Sequence, residues 1–382
     1  MKITHVEAIP VRVPRPQPFQ SSLGTHQASE NAVVLIHTDA GLTGLGEASS
    51  IWDRRGRGES EAINGLLADV LCGLDPRRIR EIADRMNQAL HRSFPAKAGI
   101  EMALYDLVGK ACNVPVYQLL GGQVRDRVLL SHSLSMGDPE AIAAQAQSLV
   151  AQGYKTLKAK IGRDLRADLA VLAAVRSAVG SEIVLRVDAN MGWSSAKEAV
   201  RCIEAIADFD LELVEQPLAA DDLEGLRFVR ERVSLPIMAD ESVWTPADAL
   251  NCVRHQAVDV FNVYVSEAGG LGAAARIFAI AEAARLPCII GSMPELGIGT
   301  AAQAHLAFAM PNLGYASDVN GCVYHSGDVI REKLPIADGY ILPSAGPGLG
   351  VTLDEDALAE YRCDGSAERS TERSRRSLAE AR

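Results

Sequence analysis

The feature that most constrains the fold is a set of eight short apolar, β-branched runs that start 23 to 28 residues apart. They occupy residues 128–134, 155–160, 183–188, 211–215, 236–240, 259–264, 287–291 and 313–318. Ala-rich segments with helical spacing of apolar residues, such as 165–179, lie between them. Strand and helix alternating at a fixed period predict repeated βα units and a parallel sheet. Eight such units suit a closed barrel; an open doubly wound sheet is the alternative, weakened because no Gly-rich phosphate fingerprint follows the first strand.

Residues 1–127 have a different pattern. Strand-like runs at 3–13, 32–38 and 42–47, with a polar loop over 14–30, predict a small antiparallel sheet. Helical spacing follows at 59–74, 76–91 and 96–113, which together with the strands predicts an α+β unit. We therefore expect an N-terminal domain over 1–127, a barrel over 128–325 and a turn-rich segment over 326–362 that packs back on the first domain. Residues 363–382 lack apolar periodicity, and we expect a disordered tail there.

Composition excludes several classes of protein. The formal charge of −11 over 382 residues argues against a nucleic-acid binder, which would need a basic face. No basic stretch followed by an apolar run opens the chain, and no run approaches the roughly 18 apolar residues of a membrane span. The 7 cysteines are scattered without a C-x-x-C pair, so neither disulfides nor a thiolate metal site is expected. These features favour a cytoplasmic enzyme without membrane or nucleic-acid partners.

Acidic residues end three consecutive predicted strands: Asp188, Glu215 and Asp240. In a barrel these strand ends meet at the mouth that carries the active site, where buried charges are costly unless they are paired or bind a metal. Three carboxylates with no His or Cys ligand favour a hard cation, Mg²⁺ or alternatively Mn²⁺, over zinc. Without the cation, their mutual repulsion would raise the pKa of one of them. Asn190 and Glu241, next to these residues, are predicted to support the ligand carboxylates, although Asn190 is as easily explained by a chain turn.

Two lysines, Lys158 and Lys160, lie two positions apart on the second predicted strand and therefore on one face. We expect the two ammonium groups and the adjacent divalent cation to lower the pKa of each lysine, which suits a lysine that acts as a base near neutral pH. Lys160 is the predicted base and Lys158 its charge partner. A metal that binds both oxygens of a substrate carboxylate would allow the base to remove the adjacent proton, because the cation stabilises the resulting enediolate.

With these residues in place, the chain resembles the enolase superfamily, and within its mandelate racemase/muconate lactonizing enzyme family the muconate lactonizing subgroup. The similarity rests on the order and spacing of the segments AGIEMAL (98–104), LLGG (119–122), KAKIG (158–162), VDAN (187–190), VEQP (214–217), ADES (239–242), GSMPELGIG (291–299) and PGLGVTL (347–353). The resemblance implies a capping domain on a (β/α)₇β barrel, with Mg²⁺ held by the three acidic strand ends and Lys160 as base. It also implies that Glu295 contacts the substrate carboxylate and acts as an acid. The His of mandelate racemase relatives at the end of the seventh strand is absent.

One position departs from the family pattern. Members that move a proton between opposite faces usually carry a second Lys at the end of the sixth strand, and here that residue is Tyr264. A phenol with a pKa near 10 is a poor base at neutral pH and a usable acid. This favours two outcomes over racemisation. One is cycloisomerisation, with Lys160 acting on a single face, and the other is loss of water, with Tyr264 or Glu295 protonating the leaving hydroxyl group. Three alternatives stay open: an epimerase with Tyr264 as second acid/base, a Tyr264 that only fills the pocket, and a binding protein without turnover.

Specificity in this family usually lies in capping-domain loops, which here correspond to residues 19–29 and 51–53. Phe19, His26 and Trp52, together with Met293 after the seventh strand, are the candidate substrate contacts, unless they are ordinary loop residues. Their mixed aromatic and polar character fits a small organic acid. Apolar helices on the barrel flanks favour a homo-oligomer.

Overall fold

The computed structural model describes residues 1–21, 24–52, 55–344 and 346–363. The N-terminal part combines three strands with a set of helices. The strands are β1 (Ile3–Ser21), β2 (Gly24–Thr38) and β3 (Thr43–Ala48). The helices are α1 (Arg55–Ala62), a π-helical segment (Ile63–Leu67), α2 (Ala68–Leu71), α3 (Ile79–Ala89), α4 (Phe94–Cys112) and α5 (Val116–Leu119).

The antiparallel sheet β1-β2-β3 confirms the predicted strands, but the predicted polar loop over 14–30 is wrong. β1 and β2 continue through it as a long hairpin, which still pairs Phe19 with His26 after a register break that follows Pro14. The outer arms are polar and only partly buried, because they leave the core of the N-terminal part. They therefore lack the alternation of apolar and polar residues by which a half-buried strand is recognised.

Helix α4 packs closely against β3, and glycines make this contact possible. A Cβ built on Gly46 would lie 1.9 Å from the carbonyl oxygen of Gly99, far inside contact distance. Asp106 of the same helix accepts the backbone N–H of Leu45 at 2.8 Å. The predicted helix over 96–113 is thus confirmed, and it joins the sheet to the rest of the molecule.

The second part alternates strands and helices as predicted. Its strands are β4 (Val128–Leu129), β5 (Ser131–Leu134), β6 (Thr156–Lys160), β7 (Val184–Asp188), β8 (Leu211–Glu215), β9 (Ile237–Ala239), β10 (Val260–Val263) and β11 (Cys288–Ile290). Its helices are α6 (Pro139–Ala151), α7 (Leu165–Val179), α8 (Ala196–Ile206), a 3₁₀ turn (Ala207–Phe209), α9 (Leu223–Arg230), α10 (Pro246–His255), α11 (Val265–Ala268), α12 (Leu271–Ala283), α13 (Gly297–Ala309) and a second 3₁₀ turn (Gly321–Tyr324).

Strands β5 to β11 hydrogen-bond in sequence order into one seven-stranded sheet, and each pair is parallel. The eighth predicted strand forms single bridges, from Leu313 to Cys288 and from Ser317 to Leu130. These bridges join the two edges of the sheet and close it into a (β/α)₇β barrel. The open sheet is thereby excluded, and the carboxyl ends of the strands converge on one mouth.

The last part of the chain returns to the N-terminal part. Strand β12 (Ile336–Ala337) pairs antiparallel with β13 (Tyr340–Ile341), and β13 pairs antiparallel with β4. Helix α14 (Glu355–Tyr361) follows. Arg362 then bridges to Val11 of β1, and the backbone N–H of Cys363 donates to the Pro10 carbonyl at 2.9 Å. Cys363, expected to begin a disordered tail, is therefore fixed by a hydrogen bond, whereas 364–382 lie outside the described residues. The domain boundaries at 127 and 325 stay predictions. None of the helices in the described ranges has the length and apolar content needed to cross a bilayer.

Candidate active site

Strand register brings the predicted acidic residues together. Lys160 of β6 is paired with Asp188 of β7, and Asp188 with Glu215 of β8. Asp240 directly follows β9, two residues after the partner of Glu215. One carboxylate oxygen each of Asp188, Glu215 and Asp240 lies within 4.8 Å of the others, and all three residues are buried. The barrel mouth therefore gathers three carboxylates from three neighbouring strands.

This cluster fits a hard divalent cation. Burial raises the pKa of Asp240 well above its usual range, and the neighbouring carboxylates Glu241 and Glu215 raise it further. Such crowding is unfavourable unless positive charge compensates for it. The three donors are all carboxylate oxygens, the ligand type that Mg²⁺ and Mn²⁺ prefer.

Lys158 is held among the carboxylates. Its Nζ lies 2.6 Å from Asp318 Oδ2 and 3.0 Å from Glu215 Oε2. Burial acts to lower the pKa of Lys158, but the charges of Asp318, Glu215 and Asp188 outweigh it and raise this pKa well above its ordinary value. The expected lowering of the pKa by the neighbouring ammonium group is wrong for Lys158, because the acidic residues around it dominate, and the effect of a cation on this pKa stays a prediction. Lys158 therefore compensates negative charge.

Lys160 reaches further into the mouth of the barrel. Its Nζ donates to Asp188 Oδ2 at 2.5 Å and to Asn190 Oδ1 at 2.9 Å. The Lys160 side chain is 12% exposed, against 3% for Lys158. Lys160 is therefore the lysine more accessible to a molecule in the cavity, and it lies beside the carboxylate cluster.

Asn190 and Glu241 support these groups. The Asn190 backbone N–H donates to Asp188 Oδ1 at 2.8 Å, and its Nδ2 donates to Glu241 Oε1 at 3.1 Å. Asn190 also has a positive φ of 41°, a region that Asn adopts more readily than most residues. Asn190 is therefore a turn residue whose backbone N–H contacts Asp188, and a role of its side chain in supporting a metal ligand stays a prediction. Burial and the charge of Asp188 raise the pKa of Glu241 to about 7.

Tyr264 directly follows β10 and contacts the cluster through its hydroxyl group. This hydroxyl donates to Asp240 Oδ2 at 2.9 Å. Burial, followed by the charges of Asp240 and Glu215, raises the pKa of Tyr264 well above 10. The phenol is thus a hydrogen-bond donor to one of the acidic residues. Asn262, two positions earlier on the same strand face, donates to Glu215 Oε1 at 2.8 Å; the period-2 rule would have identified it, and sequence reasoning missed it.

A cavity covers the barrel mouth, with an empty volume of about 740 Å³ including solvent at its opening. Among the predicted site residues, those that line it are Phe19, His26, Trp52, Lys158, Lys160, Asn190, Asp240, Glu241, Tyr264 and Met293. Residues from the N-terminal hairpin, the loop after β3 and the barrel thus face one space. Asp53 lies outside the described residues.

Trp52 is fixed at the cavity by two contacts with the barrel. Its Nε1 donates to Glu267 Oε1 at 2.8 Å, and its ring packs against that of Trp244 with centroids 5.7 Å apart. Glu267 is buried, and its other carboxylate oxygen makes no hydrogen bond. The indole of Trp52 therefore attaches the loop after β3 to the barrel.

Glu295 lies behind the cavity wall. It is fully buried, and its Oε2 accepts hydrogen bonds from Ser292 Oγ at 2.6 Å and from the Met293 backbone N–H at 3.1 Å. Burial, together with the charge of Glu47, raises the pKa of Glu295 to about 7. Ser292, Met293 and Pro294 line the cavity at this point, and Glu295 is not among the lining residues. Its contact with a substrate carboxylate and its role as an acid stay predictions.

Two charged residues that line the cavity were not predicted from the sequence, Asp318 and Arg15. Asp318 ends the eighth apolar run, so the rule that identified the other acidic strand ends would have identified it as well. Arg15 lies in the stretch expected to be a loop, where no periodicity marked a strand. The position of Asp318 could therefore have been predicted from the sequence. The position of Arg15 could not, because it depends on the hairpin, which the sequence pattern did not indicate.

Comparisons with known proteins agree with this geometry. Residues 3–121 match the N-terminal domain of the mandelate racemase/muconate lactonizing enzyme family, and residues 141–357 match the enolase C-terminal domain-like family. An N-succinyl-L-Arg/Lys racemase of Bacillus cereus is 31% identical over 94% of this chain and 98% of its own.

Two solved structures are similar over nearly the whole chain. A muconate lactonizing enzyme from Pseudomonas fluorescens, complexed with muconolactone, has a TM-score of 0.92 and 32% identity, covering 95% of this chain and 99% of its own. A dipeptide epimerase from Enterococcus faecalis, complexed with Mg and the dipeptide L-Leu-L-Tyr, has a TM-score of 0.87 and 36% identity, covering 92% of this chain and 100% of its own. The chain is thus similar both to cycloisomerising and to epimerising enzymes.

Proposed function

Because the chain belongs to the mandelate racemase/muconate lactonizing enzyme family of the enolase superfamily, we propose that it is a Mg²⁺-dependent enzyme that removes the proton α to a carboxylate. Mn²⁺ is the alternative cation. Lys160 is the base, and the outcome is cycloisomerisation or β-elimination of water from a small acid. The observation that carries this proposal is the position of Lys160 Nζ, 2.5 Å from Asp188 Oδ2, at the edge of the carboxylate cluster.

Asp188, Glu215 and Asp240 would hold the cation, which supplies positive charge to offset the negative charge that develops on the substrate carboxylate. Lys160 takes the α-proton from the face on which it lies. Asn190 orients the Lys160 amine by accepting its hydrogen bond at 2.9 Å. Lys158 keeps the buried carboxylates compensated through its contacts with Asp318 and Glu215.

Tyr264 supports a reaction with a single base. Its phenolic proton is directed at Asp240 Oδ2, and its burial opposes formation of a phenolate. A phenol that stays protonated at neutral pH is unsuited to accept a proton. A proton taken and returned by Lys160 alone stays on one face of the substrate.

Epimerisation is the second candidate. It is favoured by the similarity to a racemase at 31% identity and to a dipeptide epimerase at 36%. It would require Tyr264 to act as the acid/base on the face opposite Lys160. The two candidates therefore differ in what Tyr264 does. A cytoplasmic location and a homo-oligomer stay predictions from the sequence.

The stereochemistry of proton exchange separates the two. Purified protein with Mg²⁺ is screened in D₂O against unsaturated diacids, hydroxy acids, dipeptides and N-acyl amino acids, and each product is analysed for deuterium and configuration. The one-base proposal predicts a cyclised or dehydrated product, or deuterium incorporation with retention. Tyr264→Phe is the diagnostic variant, and Tyr340→Phe, which changes a phenol stacked on Arg127, is the control. Inversion that disappears in Tyr264→Phe and persists in Tyr340→Phe would establish the epimerase instead.

A further inference from the structure

Two polar residues at the end of β10 connect acidic residues of the barrel mouth. Asn262 lies on β10, and Tyr264 follows it two positions later and hence on the same face. Asn262 Nδ2 donates to Glu215 Oε1 at 2.8 Å and to the Tyr264 hydroxyl at 3.3 Å. The Tyr264 hydroxyl donates in turn to Asp240 Oδ2 at 2.9 Å. One chain of hydrogen bonds therefore joins Glu215 to Asp240, two of the three clustered carboxylates.

The chemistry of the groups fixes the direction of this chain. The amide nitrogen of Asn262 can only donate, and an ionised carboxylate can only accept. The amide nitrogen therefore faces Glu215, because the amide oxygen in its place would oppose a carboxylate oxygen. The second proton of the amide nitrogen faces the Tyr264 oxygen, which leaves the phenolic proton for Asp240. Within the described ranges, no other hydroxyl, amide or ammonium group donates to the Asp240 side chain.

Packing against the next strand holds the Tyr264 ring in this position. Gly291 directly follows β11, the strand paired with β10, and lies beside Tyr264. A Cβ built on Gly291 would collide with the Tyr264 ring and lie 2.6 Å from Asn262 Oδ1. Asn262 is fully buried, and Tyr264 is nearly so although it lines the cavity. The two side chains are therefore enclosed, with their donor groups directed at the carboxylates.

We propose that Asn262 and Tyr264 are positioning residues of the metal site, which hold Glu215 and Asp240 in the orientation that binds the divalent cation. This inference rests on the proposed function, because it takes these carboxylates to be metal ligands. A carboxylate that accepts one hydrogen bond keeps lone pairs for a cation, and the bond restricts rotation of the group. Without the chain, buried carboxylates that repel each other would have to be ordered as the cation binds. Tyr264 thus acts through Asp240 on metal affinity.

Direct measurement of cation binding, without any substrate, tests this role. Mn²⁺ is titrated into the metal-free protein, the free ion is measured by electron paramagnetic resonance, and Mg²⁺ is measured by competition with Mn²⁺. Tyr264→Phe is expected to raise the Kd of both cations about 10- to 100-fold, the usual loss when a hydrogen-bond partner of a metal ligand is removed. Asn262→Leu should have an effect in the same range. The double variant should lose less than the product of the two single losses, because each single variant already removes the bond between the two residues.

Tyr154→Phe is the matched control. Tyr154 is also a buried tyrosine, but its hydroxyl accepts a hydrogen bond from Asn320 Nδ2 at 3.4 Å and donates to none of the three carboxylates. This variant should bind both cations as the unmodified protein does. Three results would overturn the inference: an unchanged Kd in Tyr264→Phe, an equal loss of affinity in Tyr154→Phe, or no binding of either cation by the unmodified protein at millimolar concentration.

Failure of the proposed function has a different signature. A Kd that depends on Tyr264, in a protein that exchanges no substrate α-proton, would reject Lys160 as the base and leave the positioning role standing. An unchanged Kd with altered α-proton exchange in Tyr264→Phe would instead reject the positioning role and assign Tyr264 to the substrate. The D₂O assay of Tyr264→Phe is run at a Mg²⁺ concentration that saturates this variant, so that loss of the cation is not mistaken for loss of an acid.

Discussion

Replacing Lys158 with Met tests whether the carboxylates at the barrel mouth depend on added positive charge. Lys158 Nζ lies 2.6 Å from Asp318 Oδ2, 3.0 Å from Glu215 Oε2 and 3.9 Å from Asp188 Oδ2, and the lysine side chain is nearly inaccessible to solvent. Removing one partner of a buried ion pair costs about 3–5 kcal/mol, because the remaining charges lose their compensation. For a chain of this length, that corresponds to a fall in melting temperature of about 4–7 °C.

The assay is thermal unfolding of the metal-free protein, repeated with increasing Mg²⁺. Because the cation replaces the lost positive charge, we expect Mg²⁺ to raise the melting temperature of Lys158→Met more than that of the unmodified protein. Lys155→Met is the matched control, since Lys155 is exposed just before β6 and should show neither effect. A metal-free Lys158→Met protein as stable as the unmodified one, or one that Mg²⁺ stabilises no more strongly, would refute the reasoning.

Two further predictions concern the contacts between the N-terminal part and the barrel. Glu101 accepts a hydrogen bond from the Gly272 backbone N–H, and burial raises its pKa from 4.5 to about 7. The stability that protonated Glu101 contributes is therefore complete below pH 4.5 and is lost as the pH rises through 7. Glu101→Gln should reduce the loss of unfolding free energy between pH 5 and pH 8 by up to about 3 kcal/mol in chemical denaturation, and an unchanged pH profile would contradict this. Trp52→Phe removes the hydrogen-bond donor to Glu267. Steady-state kinetics should then show a KM raised about tenfold with a smaller change in kcat. An unaltered KM would contradict a role of the loop after β3 in substrate binding.

The barrel and its acidic residues could be predicted from the sequence for a simple physical reason. Parallel strands place their carboxyl ends at one edge, so a charged residue that ends an apolar run is located by its position alone. Asp188, Glu215 and Asp240 follow from this rule, and the period-2 geometry of a strand places Lys158 and Lys160 on one face. Local patterns of this kind do not depend on distant parts of the chain.

Other features depend on distances between segments that are remote in the sequence. The sequence pattern predicts a loop where the hairpin carries Phe19 and His26, because the polar arms of the hairpin extend beyond the core and are only partly buried. The burial of Glu295 depends on the turn after β11. This turn places Met293 at the cavity surface and Glu295 beneath that surface. The raised pKa of Lys158 depends mainly on Asp318, 160 residues away along the chain. Such distances become visible only in the folded structure.

The most direct test of the central claim is the exchange of a substrate α-proton with D₂O in the Lys160→Met variant, followed by NMR with Mg²⁺ present. The substrate for this test is a carboxylic acid that the unmodified protein turns over. Lys155→Met again serves as the surface control. The account predicts that Lys160→Met slows exchange by about 10²- to 10⁴-fold, the usual contribution of a general base, while Lys155→Met exchanges normally. Exchange by Lys160→Met at the unmodified rate would contradict the assignment of Lys160 as the base.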